Sequence, residues 1–148
     1  MIGLVQRVAA CEVAVDGETV GKIGRGLLVL LGVHRDDTDH DLVLLARKCA
    51  GLRIFPDEND RMNRSVTDVG GEILVVSQFT LFGDVRRGLR PYFGDAAEPD
   101  KGEEYYHRFM EMISQAGIPV QGGTFGAHMM LNIINDGPVT LTLDTKDM

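Results

Sequence analysis

Two short segments of the chain carry residues whose types and spacing suit chemistry. Ser77–Leu81 reads SQFTL and follows an apolar run, so three polar side chains interrupt a strand-like pattern. Because buried polar groups cost free energy unless they are paired, this segment is either a strand end that faces a cleft or a strand end capped by hydroxyls. Asn135–Thr140 reads NDGPVT. It is either a plain hairpin turn or a rigid Gly-Pro unit, with a cis bond accessible, that presents backbone carbonyls.

Sites of more familiar kinds are missing from the sequence. It holds no G-x-S-x-G elbow, Walker loop, H-E-x-x-H motif or Rossmann fingerprint. The histidines, His34, His40, His107 and His128, are scattered along the chain. We therefore predict neither a Ser-His-Asp triad nor a metal site, and no cofactor.

The elements that must position these segments follow from the apolar pattern. It predicts a strand-rich α/β fold with seven or eight strands and two helices. Thr38 and Asp41 form a capping-box variant that predicts a helix to about residue 50, and a second helix is predicted from Pro99 to Ala116. The first helix should connect two parallel strands as a crossover. The predicted strands cover residues 2–8, 11–16, 18–23, 26–33 (buried on both faces), 72–81, and 128–134 with 139–144 as a closing hairpin.

Length and composition fit one globular domain over residues 1–148. Hydrophobic residues make up 44% and charged residues 25%, and the net charge is −7. No apolar run approaches the roughly 20 residues that a membrane-spanning helix needs, and the start of the chain lacks a secretory signal pattern. Cys11 and Cys49 lie among apolar neighbours without metal-binding spacing, which favours reduced, buried thiols and a cytoplasmic protein.

The two segments together resemble the D-aminoacyl-tRNA deacylase family. SQFTL followed by NDGPVT, at this spacing in a chain this short, is a specific combination, and the resemblance extends over essentially the whole chain. His128, where an acidic residue is common in the family, and Asn59-Asp60-Arg61, where Gly-Lys is common, are departures outside both motifs. Further matching segments are Val5–Val8, Gly26–Leu30, Leu52–Phe55, Met62-Asn63, Gly70–Glu72, Arg90-Pro91 and Gly123–Ala127.

This resemblance implies a homodimer with layered β/β/α subunits that hydrolyses the ester bond of D-aminoacyl-tRNA. It also implies activity on glycyl-tRNA mischarged on a non-glycine tRNA. Gly137-Pro138 would be a chirality gate with a cis bond that reaches into the partner subunit's pocket. Its carbonyls would bind the substrate α-ammonium, and its backbone would exclude an L side chain.

The resemblance places the reaction at the SQFTL segment. The N–H groups of Phe79 and Thr80 would hold the developing oxyanion, and Ser77 and Gln78 would shape the pocket. In the other matching segments, Phe125 would lie against the terminal adenine and Arg7 would brace the Gly-Pro turn.

Two alternatives remain open at this point. A Thr80 nucleophile would need a base partner, and the sequence places no histidine or lysine near it. A non-catalytic dimer that binds RNA or a small ligand would equally lack a side-chain base.

Arg86, Arg87 and Arg90 form the only local basic cluster. They are either solvated or in contact with phosphates at the tRNA acceptor end. With so few cations clustered, we expect RNA binding to depend only weakly on salt.

Overall fold

Eight strands and two α-helices make up the computed structural model, which describes residues 1–148. This matches the predicted strand-rich α/β class. A 3₁₀ helix, Phe79–Phe82, lies directly after the sixth strand. The elements are β1 Ile2–Val15, β2 Glu18–Ile23, β3 Gly26–Gly32, α1 Asp39–Gly51, β4 Phe55–Pro56, β5 Met62–Arg64, β6 Glu72–Ser77, α2 Pro99–Gln115, β7 Val120–Gly122 and β8 Met130–Asp144.

Strand β1 organises the main sheet. Along one edge of β1, Ile2–Val8 pairs with β3 and Cys11–Val15 pairs with β2. The other edge of β1 pairs with β8. The strands predicted over 2–8 and 11–16 are therefore one strand, and that prediction of a break was wrong. Ala9 and Ala10 interrupt the apolar alternation, but β8 pairs with both halves of β1 and keeps the backbone extended. The Asp16-Gly17 turn to β2 has positive φ at both residues, as a tight hairpin requires.

The predicted crossover is confirmed. Strands β3 and β6 are parallel neighbours, and α1 connects them through the short β4–β5 pair. The capping box of α1 is present, with the Thr38 N–H donating to the Asp41 carboxylate at 2.8 Å. Strand β7, which the sequence pattern did not predict, extends the sheet in parallel beyond β6. No helix is both long enough and apolar enough to cross a membrane.

Apolar side chains fill both faces of the central strands, which gives the predicted β/β/α layering. On one face, Leu27, Val29 and Leu31 of β3 pack with the buried side of both helices. On the other face, Leu28 packs with residues of β1, β2 and β6, including Ile23. Strand β3 is buried on both faces because β2 packs across the face away from the helices, where a Cβ on Gly21 would collide with the Gly122 carbonyl oxygen of β7.

Tyr106 on α2 ties the helix layer to the sheet. Its ring is 1% exposed. Its hydroxyl donates to the Val75 carbonyl at 3.0 Å and accepts from the Gly123 N–H at 3.0 Å. Burial raises the pKa of this hydroxyl, so it stays protonated and able to donate at neutral pH. Tyr106 therefore fixes the segment after β7 relative to the end of β6.

Replacing Tyr106 with phenylalanine should lower the free energy of unfolding by about 1–3 kcal/mol, because one hydroxyl pairs two buried backbone groups. Urea denaturation of the two proteins measures this difference. Tyr92→Phe is the matched control, since the Tyr92 side chain is 65% exposed and should cost much less. Equal losses from the two substitutions would contradict the role assigned to the Tyr106 hydroxyl.

The predicted closing hairpin was wrong. Residues 130–144 form one strand, β8, which pairs with β1 on both sides of the NDGPVT motif. Between the pairs Gln6–Thr140 and Val8–Asn135, β1 advances two residues and β8 advances five. The additional residues form a bulge, and Pro138, which has no N–H to donate, lies where the ladder is interrupted. A turn pattern here produces a bulge because β1 is long enough to pair with both flanking segments.

Candidate functional site

The SQFTL segment marks the point where β6 leaves the sheet. The predicted strand over 72–81 ends at Ser77, four residues earlier than expected. The Gln78 N–H still donates to the Leu31 carbonyl at 2.8 Å. The chain then turns into the 3₁₀ helix, whose bonds run from the Leu81 N–H to the Gln78 carbonyl and from the Gly83 N–H to the Thr80 carbonyl. The Phe79 and Thr80 N–H groups open this helix and have no hydrogen-bond partner in the protein.

The Thr80 hydroxyl has a donor beside it rather than a base. The side-chain amide of Gln78 donates to it. One histidine is closer to this helix than the sequence suggested. His34 is 6% exposed, and its ring packs edge-on against Phe82 with centroids 5.4 Å apart. The His34 Nδ1 accepts from the Asp36 N–H, and its Nε2 lies 3.2 Å from the Lys146 ammonium. Both ring nitrogens of His34 therefore have partners, and neither is hydrogen-bonded to Thr80.

A cleft of about 510 Å³ opens beside this helix. It contains Ser77, Phe79 and Phe125 of the predicted site, whereas Gln78 and Thr80 do not line it. Sequence reasoning missed the opposite wall, because short apolar and glycine residues in a loop carry no distinctive pattern. Glu98 is the only ionisable side chain in the lining. The residues that line the cleft and were not predicted are Leu31, Val33, Phe93, Gly94, Ala96, Ala97, Glu98, Pro99, Gly102, Gly126, Ala127 and Met129.

Three aromatic rings line the cleft. Phe79 is 56% exposed and lies edge-on to Phe93, with centroids 5.1 Å apart. Phe125 packs against Tyr106, with centroids 6.0 Å apart, and over Gly102 of α2. A Cβ at Gly102 would lie 3.3 Å from the Phe125 ring, so the glycine makes room for it. These rings offer faces on which a flat aromatic group such as a nucleobase can stack.

The Gly137-Pro138 unit projects from β8 and lies outside this cleft. Its peptide bond is cis, as the resemblance implies. Gly137 has a φ of +143°, and a Cβ there would lie 2.7 Å from Val139 Cγ2, so only glycine fits. The Asn135 side chain closes the base of the bulge, since it accepts from the Val139 N–H at 2.8 Å and donates to the Val139 carbonyl at 3.2 Å.

Arg7 reaches this unit from β1. Its Nε donates to the Asp136 carbonyl at 3.0 Å, and a terminal nitrogen donates to the Ile54 carbonyl at 2.7 Å. The Asp136 carboxylate lies 3.6 Å away, and the Arg7 side chain is only 12% exposed. One guanidinium thus joins the bulge to the start of the β4–β5 segment.

The three loop arginines differ in their surroundings. Arg86 is bound to Asp84 through two side-chain hydrogen bonds of 2.9 and 2.6 Å. Hydrogen bonds from the Arg86 side chain and backbone lower the pKa of Asp84 to about 2. Arg87 and Arg90 are exposed and have no carboxylate partner. No three His, Cys, Asp or Glu side chains are grouped so that they could bind a metal ion.

Comparison with known proteins places this arrangement in a family. The model of the family described as D-Tyr-tRNA(Tyr) deacylase matches residues 4–144. A D-aminoacyl-tRNA deacylase from Thermotoga petrophila is 54% identical over 148 residues, covering 100% of this chain and 99% of the relative. One from Geobacter sulfurreducens is 54% identical over 146 residues, covering 99% and 96%.

Solved structures give the same fold. A protein described as c-Myc DNA unwinding element binding protein superposes with a TM-score of 0.91 at 41% identity, over 98% of this chain and 99% of its own. A probable eukaryotic D-amino acid tRNA deacylase has a TM-score of 0.80 at 23% identity, over 96% and 97%, and supports the fold alone. With a family model spanning nearly the whole length and relatives above half identity, this chain belongs to the D-Tyr-tRNA(Tyr) deacylase family.

Proposed function

We propose that this protein hydrolyses the ester bond of D-aminoacyl-tRNA and releases the free D-amino acid and tRNA. The observation that carries the proposal is the pair of unpartnered N–H groups of Phe79 and Thr80 beside the aromatic cleft. Relatives above half identity are named for this activity. Because aminoacyl-tRNA is used where translation takes place, we also place the enzyme in the cytoplasm, consistent with its two free cysteines.

In this mechanism the backbone performs the main catalytic task. The ester carbonyl oxygen points at the Phe79 and Thr80 N–H groups while water attacks the carbonyl carbon. These donors stabilise the negative charge on the oxygen. Collapse of the intermediate breaks the bond between the carbonyl carbon and the ribose oxygen, and that oxygen leaves with a proton supplied by the attacking water. An aminoacyl ester is already activated, so fixed donors and positioning can suffice without a side-chain base. The vicinal ribose hydroxyl can orient the water, and Phe125 stacks on the terminal adenine.

A nucleophilic role for Thr80 is disfavoured by its neighbours. Its hydroxyl accepts a hydrogen bond from the side-chain NH2 group of Gln78, which is not a base that could remove the hydroxyl proton. We therefore expect Thr80→Ala to retain activity within about threefold of wild type, the loss of one exposed hydrogen bond. Single-turnover hydrolysis of a D-aminoacyl-tRNA measures this. A rate reduced to that of the uncatalysed reaction, with the fold intact, would support the nucleophile instead.

The proposal includes a homodimer in which Gly137-Pro138 of one subunit enters the cleft of the other. Strand β8 pairs only with β1, so its outer edge is free for a partner. It also exposes large apolar side chains, with Met130 67% and Ile134 55% exposed. Because the Gly137-Pro138 unit lies on this strand and outside its own cleft, a partner across β8 is the natural recipient. There its carbonyls would bind the substrate α-ammonium, and Ser77 and Gln78 would support the opposite wall.

Chirality provides the test of this function. A backbone wall on one side of the substrate Cα excludes any L side chain but admits hydrogen, so D-aminoacyl-tRNA and glycyl-tRNA should both be cleaved. The experiment is hydrolysis of small and large D-aminoacyl-tRNAs, their L counterparts and a glycyl-tRNA mischarged on a non-glycine tRNA. Efficient cleavage of an L-aminoacyl-tRNA would contradict the gate. Binding of all these substrates without hydrolysis would support a non-catalytic dimer, and a fully active monomer in sedimentation would contradict the shared site.

A further inference from the structure

A second concave surface lies at the carboxyl end of α1. It is a groove of about 530 Å³ and is not part of the cleft described above. Half of the side chains that line it are cationic and none is acidic, in a chain whose net charge is −7. We call it the basic groove. Its lining residues are Leu44, Arg47, Lys48, Gly51, Leu52 and Arg53.

The cations of the basic groove are free to bind an anion. All three are exposed, and none has a carboxylate within 4.0 Å. Arg53 donates to the side-chain carbonyl of Asn63, which orients its guanidinium without neutralising it. Asp68 is within electrostatic range of Arg53, but its carboxylate accepts from the Ser65 N–H at 2.8 Å. By contrast, Arg64 and Arg86 are each bound to a carboxylate.

Helix stability alone does not account for the groove. A cation in the last turn of a helix interacts favourably with the helix dipole, and this is sufficient to explain Lys48. Arg47 lies before the last turn, so the dipole effect does not explain it. The lining also combines charge with a floor of Leu44 and Leu52, a surface that holds the stems of long cationic side chains in place.

The basic groove is connected to the Gly137-Pro138 unit of its own subunit. Arg53 precedes Ile54, whose carbonyl accepts from Arg7, and Arg7 also binds the Asp136 carbonyl. The basic groove lies away from the cleft of its own subunit. Helix α1 begins after the carboxyl end of β3, which lines that cleft, and the stretch from Arg47 to Gly51 lies about 12–18 Å along the helix from its start. If Gly137-Pro138 enters the partner's cleft, the basic groove of the same subunit therefore lies on the side of the partner's cleft.

We propose that the basic groove binds backbone phosphates of the tRNA whose aminoacylated end lies in the partner's cleft. This inference rests on the proposed function and its shared dimer site. It adds a second set of cations to the RNA-binding surface of the protein, far in sequence from Arg86, Arg87 and Arg90. Each additional neutralised phosphate steepens the slope of log affinity against log salt. The measured slope should therefore be steeper than the one expected from the loop arginines alone.

The test compares Arg47→Gln, Lys48→Gln and Arg53→Gln with the matched control Lys22→Gln, which removes one exposed cation elsewhere on the surface. Affinity for deacylated tRNA is measured across a salt series. Each groove variant should reduce the salt slope by about one and weaken binding about fivefold or more at low salt, whereas Lys22→Gln should change neither value. Groove variants that match wild type in both affinity and slope would overturn the proposal.

Hydrolysis measured in parallel separates this inference from the proposed function. The two substrates are D-aminoacyl-tRNA and D-aminoacyl-adenosine. The kcat/KM for the tRNA substrate divided by that for the adenosine substrate should fall in the groove variants, because only tRNA carries the distant phosphates. If wild type cleaves neither substrate but the groove variants still lose affinity for tRNA, the proposal for the groove is supported and the proposed hydrolase activity is contradicted. Cleavage of both substrates with an unchanged ratio would contradict the groove alone.

Mixed dimers test whether the groove acts across subunits. In the first, one subunit carries Phe79→Pro and the other carries the three groove substitutions. The working cleft then faces an intact groove on its partner, so tRNA hydrolysis should be retained. In the second, one subunit carries all four changes and the other is wild type, and tRNA hydrolysis should fall about tenfold or more. The opposite ranking would place the groove with its own cleft and overturn the proposal.

Discussion

Phe79→Pro should slow hydrolysis of D-aminoacyl-tRNA by about 100- to 1,000-fold relative to Phe79→Ala, which is the size of effect expected for losing one oxyanion donor. Phe79 is the first residue of its 3₁₀ helix, and Gln78 before it has φ −142° and ψ 75°, outside the α region that a following proline disfavours. Proline is accepted at such a position because the missing N–H has no partner within the helix. The substitution therefore removes a donor while the backbone path is kept.

Phe79→Ala separates the ring from the N–H group. Both variants lose the contact with the Phe93 ring, so any difference in rate between them reports on the backbone donor. Circular dichroism and urea denaturation check that the two proteins fold equally well. If the rates of the two variants agree within a few-fold, the oxyanion is held elsewhere and the backbone mechanism is wrong.

Arg7→Ala should also cause a large loss, through position and not through chemistry. The guanidinium makes two hydrogen bonds to backbone carbonyls, one of them next to Gly137. Hydrogen bonds from a charged donor contribute about 1.5–3 kcal/mol, so stability should fall by at least that amount. Misplacing a positioning group by about 1 Å can cost about 100-fold in rate. We expect a loss of that order with D substrates, together with poorer discrimination against L substrates.

Two further variants make the Arg7 result interpretable. Arg7→Lys keeps the charge but lacks the planar fork that reaches both carbonyls, so it should recover little discrimination. Arg64→Ala removes an arginine whose side chain is 46% exposed in its pair with Glu58, and it should change stability by about 0.5 kcal/mol or less. If Arg7→Ala loses stability but keeps full discrimination between D and L substrates, Arg7 is structural only.

Much of the fold could be predicted from local patterns. The capping box at Thr38 and the unbroken apolar run of β3 specify their elements directly, because the residues that determine the structure are adjacent in the chain. Where partners are distant, local patterns failed. The NDGPVT motif looks like a turn, yet its flanking segments pair with β1, more than a hundred residues earlier.

The candidate site divides in the same way. Ser77, Phe79 and Phe125 were named from the sequence and lie together in the cleft. The SQFTL motif marks the first two, and the family resemblance of the segment Gly123–Ala127 marks Phe125. The Phe93 wall and Glu98 carry no local signal, since only the folded loop brings them to the cleft. The basic groove was missed for the same reason. Arg47, Lys48 and Arg53 do not form a basic run, and the turn at the end of α1 is what groups them.

The bulge in β8 sets a constraint of length in addition to its constraint of composition. Asn135 clamps Val139 across the bulge, while β1 holds both flanking segments in register. Removing one residue would either break this clamp or slide Thr140–Asp144 by one position along β1. Such a slide exchanges the two faces of a strand, so Leu143, which packs on the main core, would turn outward. Across evolution, the positions of this stretch other than Asn135, Gly137 and Pro138 should accept many substitutions before the stretch accepts a single insertion or deletion.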